Sequence, residues 1–398
     1  MAEATLGERV ADARKRKGLS QKDLATLMGR SESWVSQVER DVLPVDRLAI
    51  RQKLSEVLGV SFLDPAAAIP QSAYPTAVHT DLDELRSTLT GHPALAALLD
   101  QDDDGPTLAE LESQADDAWK RALDSDFGQL AQIISELEQA ARQAKGKDHK
   151  QLLAMLARSY QAASAGFARQ NEADAAWLAG DRALTAAEES GDVFAVIASQ
   201  FRLAHTFMRI RRFDQARLVA VRSIDSLNQF ETAGGPPEAL SLYGAMHLVL
   251  AALAGFDNDR TGARAALDEA ERIAGIVGEG RNDYDTEFGP INVQIHRISI
   301  AVDLGDAGEA IEIASRLDPT QLSNERQMRV LLDTARAHGQ RRQIADAVAC
   351  LLEAERTAPE HLRSHTVAHQ TVRDLLGQRD AQASEELADL ARRLAVLP

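Results

Sequence analysis

Lys15, Arg16, Lys17, Lys22 and Arg30 fall within one short stretch, and ammonium and guanidinium groups at that density suit the oxygens of a phosphate backbone. Between Arg9 and Arg40 there are eight basic residues and four acidic ones. His361, His365 and His369 stand at i, i+4 and i+8. An i, i+4 pair can chelate a metal, but the outer two would lie ~12 Å apart along a helix axis, so one ion cannot take all three. No cysteine is near them, and the expectation is no metal and no cofactor. Cys350, between Ala349 and Leu351, reads as a small apolar filler, since a redox sensor needs an exposed, electropositive thiol. There is no P-loop, no G-x-S-x-G, no H-E-x-x-H and no Gly-rich turn after a strand. The carboxylates are scattered as solvated helix faces scatter them. The chain reads as one that binds rather than catalyses.

These groups need a scaffold, and 398 residues suggest two or three folding units. Apolar residues make up 44% and charged ones 26%, a globular balance, while 4% aromatics with abundant alanine favour close-packed helices. No apolar run reaches the roughly 20 residues of a membrane span. Leu242 to Phe256 is short, contains His247, and reads as a buried helix. The start of the chain lacks a basic region followed by an apolar one, and a single cysteine excludes an internal disulfide or a Cys-based zinc module. A cytoplasmic location is expected. The net charge of −17 is unevenly spread: residues 1–64 carry 11 Lys/Arg against 10 Asp/Glu, and residues 65–398 carry 33 against 51. An acidic body adds nothing to phosphate affinity, so any such contact falls to the head.

Punctuation along the first sixty residues predicts four short helices. Thr5 and Glu8 have capping-box spacing and Gly18 ends the first helix. Ser20 with Asp23 opens the second, closed by Gly29. Ser31 caps a third to about Arg40, and Asp46 a fourth to Leu58. Leu6, Val10, Ala13, Leu24, Ala25, Leu27, Val35, Val38, Leu48, Ile50 and Leu54 recur at helical spacing and predict one small core. Residues 65–106 read as a connector, with Pro65, Pro70, Pro75 and Pro93, a helix at residues 81–90 and the acid run Asp102-Asp103-Asp104. From Thr107 the pattern is helix, short loop, helix. Aligning second helices on a small residue gives Ala216, Ala263, Ala310 and Ala347. Repeated helix pairs predict a solenoid, because one pair cannot bury its apolar face alone. The expected domains are therefore 1–64, 65–106 and 107–398.

The stretch from Arg14 to Arg40, RKRKGLSQKDLATLMGRSESWVSQVER, resembles the helix-turn-helix domain of the Xre, or Cro/phage-repressor, family. Ala25 is small where two helices cross, Gly29 supplies the turn and Val35 anchors the third helix inward. The resemblance implies a second-helix N-terminus with Gln21 against a phosphate. It places Ser31, Glu32, Ser33 and Gln37 at base-reading positions of a recognition helix, and makes Arg14 and Glu39 a lock between the first and third helices. Glu32 would accept a bond from a cytosine amine or only exclude other bases. Lys17, Lys22 and Arg30 join Gln21 as expected phosphate contacts. Trp34 would lie along the sugar edge or pack against the first helix.

The rest of the chain resembles tetratricopeptide repeats, clearest in Leu304-Gly-Asp-Ala-Gly-Glu-Ala-Ile-Glu-Ile-Ala and in Ile344, Ala347, Leu351, Ala354 and Pro359. The layout is similar to high-GC bacterial Xre-type regulators with tetratricopeptide bodies. At the level of architecture it is also similar to peptide-pheromone receptors of Gram-positive bacteria. The register of that resemblance puts His205, Arg209, Asn292, Ser299, Arg329 and Arg336 on an inner wall, suited to the amides and carboxylate of a peptide effector. The block Phe288 to Arg297 looks like a recurrent element of unassigned role. The fold class expected is all-α, a helix-turn-helix domain joined to a right-handed α-solenoid of tetratricopeptide-like helix pairs. The function expected is a homodimeric transcriptional regulator on a pseudo-palindromic double-stranded DNA operator, with no membrane partner and a peptide or protein effector at the repeats. The alternative is an adaptor whose head has little or no DNA affinity.

Overall fold

At Asn171, Arg211, Asn258, Gly305 and Arg342 the backbone turns into the left-handed region, with φ of 62°, 62°, 60°, 83° and 60°. Each such residue is followed by a helix N-cap, and each helix carries an alanine at its fourth position: Ala176, Ala216, Ala263, Ala310 and Ala347. All five alanines are fully buried. Where the turn is tightest the N-cap N–H reaches back to close the preceding helix, as from Arg212 to the Phe207 carbonyl at 2.8 Å and from Asp259 to Ala254 at 2.8 Å. Such a bond satisfies a terminal carbonyl that would otherwise lack a partner. The alanine then lets the second helix lie close on the first. This turn is the repeat unit of the fold.

The computed structural model describes residues 5–41, 43, 45, 48–58, 60, 62, 80–91, 106–230, 234–318, 322–378 and 385–396. Among them the chain is helical with no strand. It divides into two compact units, residues 78–304 and residues 1–77 with 305–398. The prolines at 65, 70, 75 and 93, the acid run after Gln101, and Asp46 lie outside the described residues.

The unit of residues 78–304 holds α5 (Thr80–Thr90), α6 (Leu108–Leu123), α7 (Phe127–Gln143), α8 (Gly146–Arg169), α9 (Ala173–Ser190), α10 (Val193–Arg209), α11 (Phe213–Leu227), α12 (Pro237–Asp257), α13 (Arg260–Val277) and α14 (Pro290–Leu304). Successive helices pack on one another from α7 to α14. The helix expected inside the connector, α5, buries Leu82, Leu85 and Leu89 against α7, and its Arg86 reaches Asp174 at 2.7 Å. Among the described residues α12 is the one helix long and apolar enough to cross a membrane. It is buried along most of its length between α11, α13 and α14, as a helix apolar on every face must be.

The other unit begins with α1 (Leu6–Arg16), α2 (Gln21–Met28), α3 (Glu32–Glu39) and α4 (Leu48–Leu58). Val10, Ala13, Leu24, Ala25, Val35, Val38 and Leu54 fill their core, joined by Met28, Val45, Leu58 and Phe62. Leu27 is a correction: it is 51% exposed, because Leu24, Ala25 and Met28 already define the inner face of α2. A second core in this unit is built by α15 (Ala307–Arg316), α16 (Asn324–Gln340), α17 (Ile344–Thr357), α18 (Pro359–Ser364), α19 (Thr366–Leu376) and α20 (Glu385–Arg393). His361, His365 and His369 do not share a helix as their spacing suggested. The chain breaks at His365, which is extended (ψ 109°) between α18 and α19, and His369 bonds the Arg363 carbonyl at 2.8 Å. Cys350 is half-buried, and burial pushes its thiol pKa up.

Candidate nucleic-acid interface

Threonine and serine caps fix the starts of α1, α2 and α3. Thr5 and Glu8 form a reciprocal capping box on α1, and Ser20 and Asp23 another on α2. The Ser31 hydroxyl accepts from Trp34 N at 3.1 Å and starts α3. Gly29 takes φ 67° between α2 and α3, a conformation in which a side chain is strained. After α3 the chain is tied back to α1 through Asp41. Its carboxylate accepts from Gly7 N at 2.8 Å and from the Thr5 hydroxyl at 2.5 Å.

The centre of the head is a charged clamp. Arg14 donates through Nε to Glu39 Oε1 at 2.5 Å and through a terminal nitrogen to Oε2 at 2.9 Å. The second terminal nitrogen of Arg14 donates to the Leu19 carbonyl at 2.7 Å, in the turn before α2. Gln21 completes the clamp, giving its side-chain amide to Glu39 Oε2 at 2.8 Å. Burial raises the Glu39 pKa, but the hydrogen bonds from Arg14 and Gln21 outweigh it and hold the carboxyl below its ordinary range. One carboxylate thereby couples α1, α2 and α3, and the orientation of α3 depends on it.

The expected contact residues are distributed as follows. Glu32 and Ser33 are exposed in the first turn of α3, Gln37 is half-buried one turn further on, and Ser31 is exposed at the cap. Lys22 is exposed on the first turn of α2. Arg30 lies in the turn between the two helices with its guanidinium 5.2 Å from the Trp34 ring centroid, and Trp34 is half-buried against the head core. Gln21 and Lys17 have partners within the head: Gln21 at Glu39, and the exposed Lys17 at the Val57 carbonyl, 2.7 Å away near the end of α4. Ser31, Glu32, Ser33 and Gln37, with Lys22 and Arg30, therefore belong to the two consecutive helices α2 and α3 and the turn between them.

Residues 5–67 match the family model of a helix-turn-helix domain. The head is a helix-turn-helix domain. No relative was found among curated protein sequences. Among solved structures the chain is similar to Bacillus thuringiensis PlcR in complex with the peptide PapR7 and DNA, at 14% identity and a TM-score of 0.29. That match covers 68% of this chain and 95% of the other.

The residues assigned to an inner wall lie on three helices, two in the unit of residues 78–304 and one in the other unit. His205 and Arg209 lie on α10, the first with its ring edge-on to Phe201 at 4.5 Å and the second exposed, with Asn171 at 3.4 Å. Asn292 and Ser299 are half-buried on α14. Arg329 and Arg336 lie on α16, each with a carboxylate of its own helix: Glu325 at 3.9 Å and Asp333 at 2.7 Å. A denser polar site lies elsewhere in the unit of residues 78–304. There the segment between α13 and α14 is laid against α8, α10 and α12. Asp285 accepts from Arg158 Nε at 3.0 Å, and Arg158 also holds Asp116 of α6 at 2.6 Å. Arg202 donates to the Asp285 carbonyl at 2.5 Å and stacks on Trp119, 4.4 Å from its centroid. The Tyr284 hydroxyl donates to the Asp192 carboxylate at 3.0 Å. Sequence periodicity missed these partners because they are separated by 42 to 127 residues. The block beginning at Phe288 was the available signal: Phe288 is buried on α12 directly over Gly244.

Proposed function

We propose that the chain is a DNA-binding transcriptional regulator of the cytoplasm that acts by binding and not by catalysis. Its head reads a pseudo-palindromic operator as part of a homodimer, with α3 in the major groove, and its helical-repeat body takes a peptide or protein effector. The observation that carries this reading is the helix-turn-helix geometry itself. A reader helix with exposed Glu32 and Ser33 is held by the Arg14–Glu39–Gln21 clamp, next to the exposed cation of Lys22. A recognition helix delivers specificity only if its side chains are fixed relative to the backbone contacts. The uneven charge supports the same division of labour, since only the first 64 residues escape the acidic excess.

Selection of bound genomic fragments with the purified chain tests the proposal, and the expected result is enrichment of an inverted repeat. Two variants then separate reading from anchoring. Gln37→Ala should relax preference at one position of each half-site, by about 1–3 kcal/mol against the wrong base. Lys22→Ala together with Arg30→Ala should weaken all sequences alike and reduce the salt slope by about 2, one for each phosphate no longer neutralised. Binding titrations across salt and across operator variants distinguish the two. Interchangeable profiles would remove the assigned roles, and no enrichment at all would favour an adaptor in which the repeats hold a partner protein.

A further inference from the structure

Between Gly278 and Gly289 the chain makes contacts that a connector does not need. Arg281 grips Asp283 through both carboxylate oxygens, at 2.9 and 2.7 Å, and Ser241 of α12 donates to the same carboxylate at 2.6 Å. Asn282 caps the segment internally, accepting from Glu287 N at 2.8 Å. Tyr284, Asp285 and Glu287 all adopt positive φ (50°, 55° and 52°), a conformation that costs free energy for residues other than glycine. The ends of the strained run are secured. Tyr284 packs edge-on to Phe194 with centroids 6.5 Å apart, and Phe288 fills the space left by the missing side chain of Gly244.

The surface under this segment has the character of a binding site for a carboxylate with an aromatic neighbour. It offers two guanidinium groups, Arg158 and Arg202, beside the rings of Trp119, Phe194 and Phe201. The segment satisfies it unequally. Arg158 receives a carboxylate, whereas Arg202 receives the backbone carbonyls of Tyr284 and Asp285. The Nε of Arg202 is buried without a hydrogen-bond partner, and burial lowers its pKa to about 10. A buried guanidinium with a donor unmatched is better served by a carboxylate than by carbonyls.

We propose that residues 281–288 are a built-in competitor: they occupy this site as an internal acidic-aromatic ligand, and an acidic peptide that brings a carboxylate to Arg202 displaces them. The proposal rests on reading the body as the input half of a regulator, and it places that input on α6, α8, α10 and α12. The internal occupant is tethered at both ends and acts at an effective concentration of about millimolar, so the closed form prevails until a better-matched ligand arrives.

A fluorescein-labelled synthetic peptide with the sequence of residues 282–288 and a free C-terminal carboxylate is the probe, titrated by anisotropy into the full chain. The intact chain should bind it weakly. The Tyr284→Ala/Asp285→Ala chain should bind it at least tenfold more tightly, and adding Arg202→Ala should abolish that gain. Equal affinity of the intact and released chains, or a gain that survives Arg202→Ala, overturns the proposal. Should the double variant fail to fold, Tyr284→Phe decides by hydrogen exchange. It loses the bonds to Asp192 while keeping the ring, and exchange should rise several-fold at residues 281–288 alone. Protection there equal to that of the intact chain overturns the proposal. No DNA is present in these measurements, so their failure leaves the operator reading standing. An absence of operator binding would in turn leave the peptide titration interpretable.

Discussion

The Glu39→Ala chain should show a head destabilised by about 2–4 kcal/mol, since removing one partner of a largely buried pair leaves the other without compensation. The Arg14 and Glu39 side chains are 11% and 6% exposed, and Gln21 would lose its acceptor at the same time. Hydrogen exchange at residues 6–39 of the full chain reads the change without requiring the head to fold alone. Glu39→Gln should fall between the two, keeping an acceptor but losing the charge. The effect is also pH-dependent with a definite sign. Because the folded carboxyl titrates below its usual range, its stabilisation is fully present above the unfolded pKa of about 4.3 and is lost as the pH falls through the folded value. The wild-type head should therefore approach the alanine variant in strong acid. Equal protection of the two at neutral pH would mean that the clamp contributes nothing to the head.

Gly244→Ala is the second substitution with a large expected effect. A Cβ at this position would meet Phe288 Cζ at 2.0 Å and both neighbouring ring carbons at 2.5 Å, far inside contact distance. Either α12 moves within a close-packed core or the ring leaves. Overpacking and the loss of a buried phenyl group together place the cost at about 2–4 kcal/mol. The ring is the cheaper element to move, so residues 281–288 should lose exchange protection while α12 and α13 keep theirs. A Gly244→Ala chain with native stability and native protection of the segment would show that Phe288 does not depend on the space over Gly244.

How far the fold could be read in advance follows from the distance over which each signal acts. Caps and turns are local, and Thr5, Ser20, Ser31 and Gly29 stand where their side chains or φ values demand. The register of the pairs was legible from Ala216, Ala263, Ala310 and Ala347 because close approach at a fixed helix position leaves room for little else. Leu27 was misplaced because Leu24, Ala25, Leu27 and Met28 make four of five successive positions apolar and blur the inner face of so short a helix. The Arg14–Glu39 lock was legible only through a resemblance, not from spacing. The turn of Gln21 toward Glu39 and the tie of the exposed Lys17 to the Val57 carbonyl were not foreseen, since an amide or an ammonium in a basic stretch carries no mark of its partner. The site around Arg158 and Arg202 was illegible for a different reason. Its members come from four elements, and nothing in their local neighbourhoods requires that they meet.

The long reach of those ties has a kinetic side. Most packing in residues 78–304 joins a helix to its sequence neighbours, so the repeats can form by local closure in quick succession. The Arg158–Asp285 and Tyr284–Asp192 contacts span 127 and 92 residues, and their loop entropy must be met before they give anything back. They belong on the native side of the folding barrier. Weakening them should leave the rate of folding almost unchanged and raise the rate of opening, so the segment behaves as a latch whose lifetime can be tuned without touching the assembly of the helices beneath it.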